Sequence, residues 1–149
     1  MDLAMSISVR ERFLADVHVG VVGVDDSREQ CGPLLVPVWY GYAPGGVVVV
    51  QTDRESVKAK LIRRAGRFSL CVQDESAPYR YVSVEGPVVA LDPVDQDEWT
   101  ALAHRYLDPE TAAAYLAANR QQLVDCITFR MRPERWRTAD FSAFAQEFS

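Results

Sequence analysis

No apolar run in the 149 residues approaches the roughly 20 needed to cross a bilayer as a helix. A membrane protein built on spanning helices is therefore not expected. The opening stretch, MDLAMSISVRERFLADV, lacks the basic start and long apolar core of a secretory signal, and a cytoplasmic protein is expected. Cysteine is scarce: Cys31, Cys71 and Cys126 are odd in number, widely spaced and form no paired metal motif. Cys71 and Cys126 stand in apolar runs, where free cysteine behaves as a small hydrophobe. The two histidines, His18 and His104, stand apart, and no serine or cysteine has an evident partner along the chain. A hydrolytic triad is thus not expected. Positive charge is also in deficit. A formal net charge of -5 lacks the basic field of a general nucleic-acid binder.

What is present reads as one globular domain over residues 1–149. Hydrophobic content of 48% and charged content of 25% are ordinary for such a domain. Ser8 to Glu11 has the form of a capping box and opens a short helix to about Ala15. Strands are expected at Val17 to Val24, Leu34 to Tyr42, Val47 to Gln51, Phe68 to Gln73, Tyr79 to Leu91 and Cys126 to Met131, from their β-branched and aromatic content. Gly86-Pro87 is expected to bend the fifth of these. Asp92-Pro93 and Asp108-Pro109 each read as a helix start with proline in the first turn. A short helix is expected from Asp140 to Phe148. The outcome is an α+β fold: a six-stranded antiparallel barrel with peripheral helices.

One segment stands against the acidic balance. Thr52 to Arg67, TDRESVKAKLIRRAGR, carries six cations and two acids. Thr52 to Glu55 repeats the capping-box pattern, and Gly66 closes the helix. At roughly 100° per residue, Val57, Lys58, Leu61, Ile62 and Ala65 share one arc, the expected core side, with Arg54 a turn earlier. Lys60, Arg63 and Arg64 fall on the opposite, solvated side. A cation at a helix start opposes the macrodipole. An anion there would compensate it, because free backbone N–H groups at helix starts bind phosphate. Thr52 and Ser56 add hydroxyl donors. The segment therefore reads as a candidate phosphate seat.

The order of motifs resembles a known family. Gly32-Pro33, Val36-Pro37-Val38-Trp39, a turn and strand, Thr52 with Ser56-Val57-Lys58, an Arg-Arg pair, and Tyr79 to Gly86 together resemble the flavin and deazaflavin oxidoreductases that share the split β-barrel of pyridoxamine 5'-phosphate oxidase. The resemblance covers about Phe13 to Asp92. It implies a homodimer with cofactor sites at the subunit interface. It implies that Lys58, Thr52 and Ser56 hold the phosphate of coenzyme F420 or FMN, and that Val36, Pro37, Val38 and Trp39 line its ring. Gln51 joins this set, with Arg54 as a second cation in place of the arginine that members often carry where this chain has Val57. Many members have asparagine at the position of Leu61. The implied activity is hydride transfer to or from a small conjugated substrate. Tyr40, Tyr79, Tyr81, Trp136 and Arg137 are further candidates beside the substrate. A second class of function is a non-catalytic split-barrel binder of flavin, deazaflavin or haem, with His18 as the strand histidine available to haem.

Overall fold

The strand expected around Gly86-Pro87 is the spine of the molecule. The computed structural model describes residues 2–28 and 30–147. Within them run α1 (Ile7–Ala15), β1 (Gly20–Val24), β2 (Leu34–Val38), β3 (Val48–Asp53), α2 (Val57–Ala65), β4 (Arg67–Gln73), β5 (Arg80–Pro93), α3 (Gln96–Tyr106), α4 (Pro109–Asn119), a 3-10 turn (Arg120–Asp125), β6 (Cys126–Met131), β7 (Arg135–Asp140) and α5 (Ser142–Glu147). All pairings are antiparallel, in the order β2-β1-β4-β5-β6-β3. The first half of β5 pairs with β4, and its second half, from Val88, pairs with β6. One strand thus belongs to two half-sheets, and the sheet curls into a half-barrel.

Gly86 is the reason the switch is possible. The β6–β7 connection crosses the spine there, with Arg132 N–H donating to Pro87 O at 3.0 Å and Glu134 N–H to Glu85 O at 2.9 Å. A Cβ on Gly86 would collide with the carbonyl oxygen of Arg132. Beyond the crossing the chain returns as β7 along the first half of β5, Trp136 opposite Val84. The six expected strands are all present, and β7 is a seventh that the sequence reading did not resolve.

Alternation along the strands fills the concave side. Val22, Leu70, Val82, Val84, Val48, Val50, Phe129 and Met131 are fully buried, with Leu14 and Ile62 packed among them from α1 and α2. Val47 and Val49 are half-exposed, so β3 is buried on one face rather than on both as its apolar run suggests.

Several local expectations shift. The cap of α1 is Ser6, whose Oγ accepts from Val9 N–H, and not Ser8. The cap of α2 is Ser56 rather than Thr52, because β3 pairs with β6 as far as Asp53 opposite Cys126 and keeps Thr52 in the ladder. The same competition moves the start of α3 from Asp92 to Asp95: Asp92 and Pro93 stay in β5, opposite Thr128 and Ile127. Asp108 does cap α4, with Pro109 in its first turn. Gly66 closes α2 with φ 72°, a left-handed conformation that suits glycine. At the C-terminus β7 runs to Asp140, so the helix begins at Ser142; Phe148 lies outside the described residues.

Candidate functional site

With Ser56 as cap, the buried stripe of α2 becomes Ala59, Leu61 and Ile62. Val57 is 62% exposed, and Ala65 is exposed as well, so neither belongs to the core side. Lys58 stays on the buried arc. It is half-buried, and burial pulls its ammonium below the ordinary lysine value of 10.5. Among the described residues it has no ion-pair or hydrogen-bond partner. The other five cations of the segment all have one. Arg54 donates from Nη2 to Val124 O at 2.8 Å, at the end of the 3-10 turn. Lys60 pairs with Glu55 at 3.5 Å, Arg64 donates to Ser27 Oγ at 2.7 Å, and Arg67 meets Glu85 at 2.9 Å. Arg63 donates to Arg54 O.

Lys58 opens onto a cleft of about 270 Å³. Pro37, Val38, Trp39, Gln51 and Thr52 share its wall with Lys58. These six come from β2 and the residue that follows it, from β3 and from α2. Val36, Arg54 and Ser56 do not line it. Val36 packs against the core. Arg54 is exposed and spent on the 3-10 turn. Ser56 Oγ accepts from Ala59 N–H at 3.1 Å and lies 3.2 Å from Thr52 Oγ1, so it orients Thr52. Pro37 sits opposite Val21 on β2, which ends the sheet. An edge position tolerates the missing donor of proline.

The opposite wall comes from α3 and α4. Trp39 stacks on Tyr106 with ring centres 5.0 Å apart and planes 6° from parallel. Tyr115 tilts against Trp39 at 5.3 Å and against Trp99 at 6.2 Å. Tyr106 O–H donates to His18 O at 2.7 Å and accepts from Tyr40 N–H at 3.1 Å, which closes the backbone where β2 has left the ladder. Sequence reasoning missed this wall. Its signal was the spacing of Trp99, Ala103 and Tyr106 on one helical face.

Gln51 is the unusual member. Its Nε2 and Oε1 are both buried and both without a partner. It also lines a second cleft, of about 370 Å³. A buried amide left unpaired costs about 1–3 kcal/mol per lost partner. Cys126 lines the first cleft too; burial and the Asp53 and Asp125 carboxylates push its thiol up, away from nucleophilic use.

The remaining candidates lie elsewhere. Tyr40 is fully buried and donates to Leu14 O at 2.6 Å, a core role. Tyr79 is exposed, Tyr81 pairs with Ala139, and neither lines the cleft. Trp136 lies under Arg10 at 4.5 Å, and Arg137 lines a separate polar hollow beside Ser83. His18 Nε2 is 3.0 Å from Phe13 O. Cys71 faces outward on β4 rather than filling the core. No group of three potential metal ligands occurs among the described residues, and no helix there is long and apolar enough to cross a membrane.

Among solved structures, a conserved hypothetical protein from Mycobacterium tuberculosis matches with a TM-score of 0.74 and 23% identity, over 97% of this chain and 90% of that one. An F420 reductase matches at 0.66 and 21%, over 85% and 94%. An FAD and haem binding protein from Mycobacterium smegmatis matches at 0.68 and 17%, over 94% and 73%. The fold is the split β-barrel of the pyridoxamine 5'-phosphate oxidase-like proteins. No family model and no curated protein matches the chain. At these identities the likeness is one of fold.

Proposed function

We propose that this split barrel binds a phosphate-bearing tricyclic cofactor, coenzyme F420 or FMN, in the Lys58 cleft and acts as a cytoplasmic oxidoreductase on a small conjugated substrate. The observation that carries the reading is Lys58: a half-buried cation, in the first turn of a helix, with no partner among the described residues. The donor set suits the group. Lys58 and Thr52 would take the phosphate, as a helix start and its hydroxyls commonly do. The aromatic faces of Trp39 and Tyr115 offer stacking surface for a planar ring. The amide of Gln51, in the same wall, is a group whose donors and acceptor could meet its polar edge once the side chain turns. When bound, such a cofactor supplies hydride transfer; the chain orients the ring and excludes water.

The first cleft alone is smaller than the roughly 300–1,000 Å³ of ordinary ligand pockets. We therefore propose a homodimer in which the partner covers the remainder. Exposed Val19, Val21 and Leu35 form an apolar surface on and beside β1 and β2, next to cleft-lining Pro37. Three free thiols support a reducing compartment. The non-catalytic alternative is weakest for haem, because His18 Nε2 already faces Phe13 O.

Titration of purified protein with FMN and with coenzyme F420, followed by fluorescence, tests the reading. Saturable binding of one of them is expected. Sedimentation at micromolar concentration should show a dimer, and a monomer with cofactor present would sink the shared site.

A further inference from the structure

The second cleft is larger than the first and differently charged. Its walls are mainly apolar: Tyr42, Val47 and Val49 on one side, Ala101 and Leu102 of α3 on the other. Gln51 and Leu102 line both clefts, so the two cavities adjoin. Two charged residues complete the second. Glu98 is held by a two-bonded ion pair to Arg130, at 2.9 and 3.0 Å, and Arg130 also meets Asp92 at 3.1 Å. Arg105 has no carboxylate within ion-pair distance among the described residues. Its Nη2 donates to Asp16 O at 2.8 Å, and its guanidinium lies 5.4 Å from the Tyr40 ring and 5.7 Å from the Tyr106 ring. Its Nε is buried with no acceptor.

We propose that this second cleft binds a small, largely apolar molecule carrying one carboxylate, with Arg105 as its cationic partner and Gln51 at the boundary with the first cleft. The proposal rests on the function proposed above and gives that site its substrate class. The apolar walls select a hydrocarbon body. Arg105 is the charge of the lining that has no ion-pair partner among the described residues, so an anion beside it is favoured over a cation. The Nη N–H groups of Arg105 not given to Asp16 O have no acceptor among the described residues and suit a carboxylate oxygen. The guanidinium is held by two rings and a carbonyl, so little side-chain freedom is lost when the anion arrives.

Cinnamate and its neutral twin cinnamamide, titrated into the full chain without cofactor and followed by tryptophan fluorescence, test this. Cinnamate should bind saturably and at least about tenfold more tightly than cinnamamide, the factor that about 1.4 kcal/mol supplies. Arg105→Gln should remove that preference. Ala101→Phe, which places a ring into the cleft from an exposed position of α3, should weaken cinnamate by a similar factor and decides the matter if Arg105→Gln fails to fold. Lys58→Ala should leave cinnamate affinity within about twofold, since Lys58 lines only the first cleft. Equal binding of the two probes, an unaffected Ala101→Phe, or no binding at millimolar cinnamate would overturn the proposal. The cofactor reading fails separately, if FMN and coenzyme F420 do not bind the unmodified chain.

Discussion

Lys58 and Lys60 stand two residues apart on one helix and end in different surroundings. Lys60 is exposed and leans on Glu55 at 3.5 Å. Lys58 is half-buried in a cleft wall, with its ammonium shifted down by burial and nothing described to pair it. Both add the same charge to the segment, so the count of cations cannot distinguish them. A census of partners does. Five of the six cations are spent on carboxylates, carbonyls or a serine hydroxyl. The sixth holds an unmet charge where a helix start already presents positive potential. The basic segment is therefore mostly surface, and in one residue the proposed site.

The largest effect should come from removing that residue. Lys58→Ala should cost roughly 1.5–3 kcal/mol of cofactor binding, the range for a hydrogen bond to a charged group. That is about 10- to 150-fold in affinity for whichever of FMN and coenzyme F420 binds. The pH dependence has a definite sign. The folded-state value lies below the 10.5 of an ordinary lysine. Just below 10.5 the unfolded chain holds more protons than the folded one, so this residue's contribution to unliganded stability rises with pH across that window. Relative to Lys58→Met, the unliganded protein should gain stability as pH climbs toward 10.5. Cofactor affinity should fall over the same interval as the ammonium is lost. Parallel pH curves for wild type and variant, by thermal unfolding, would mean that Lys58 is solvated.

Gln51→Leu sharpens the comparison from the other side of the cleft. It removes two buried atoms that have no partner. Without ligand the variant should be more stable by about 1 kcal/mol, because a buried polar group left unpaired costs more than an apolar one of similar shape. Cofactor affinity should drop nonetheless. A variant less stable than wild type in chemical denaturation would show that the amide has a structural partner, such as ordered water.

Much of this was legible in the sequence, and the exceptions share a cause. The Gly66 and Asp108 caps, the six strands and the gathering of Pro37, Trp39, Thr52 and Lys58 follow from local pattern and motif order. Two helix starts were placed too early because a capping residue can also be a strand residue. Thr52 and Asp92 carry the right side chains, but each is held in a ladder by β6, whose pairing partners lie tens of residues away. Strand β7, RWRTAD, escaped because it is mostly polar: Trp136, Thr138 and Asp140 make a half-buried face, and on the other face only Ala139 is buried between exposed arginines. The aromatic wall of α3 and α4 needed a tertiary contact, since nothing local tells Tyr106 to stack on Trp39.

Arg54 separates site from scaffold. The motif order suggests it as a second phosphate cation, but it is fixed to the end of the 3-10 turn, by its own N–H to Asp125 O at 2.9 Å and its guanidinium to Val124 O at 2.8 Å. A cation there satisfies carbonyls that the turn leaves open. Arg54→Ala should lower stability by about 1 kcal/mol or less, the net worth of an exposed hydrogen bond, and change cofactor affinity little. A tenfold loss of affinity with unchanged stability would instead move Arg54 into the cleft.

The smallest effect should be at Lys60. Its pair with Glu55 is exposed on both sides, and such pairs contribute little because water and salt screen them. Lys60→Ala also keeps the helix, as alanine is the best helix former. Cofactor affinity should stay within about twofold, since only long-range charge is removed and that is screened beyond roughly 10 Å at 0.1 M salt. The informative measurement is the pair of affinities for Lys58→Ala and Lys60→Ala taken at low and at high salt. The Lys60 effect should vanish as salt rises, and the larger part of the Lys58 effect should survive, because its charge is partly withdrawn from solvent. If both losses are equal at low salt and both vanish at high salt, the segment attracts anions only as a charged surface and Lys58 has no site of its own.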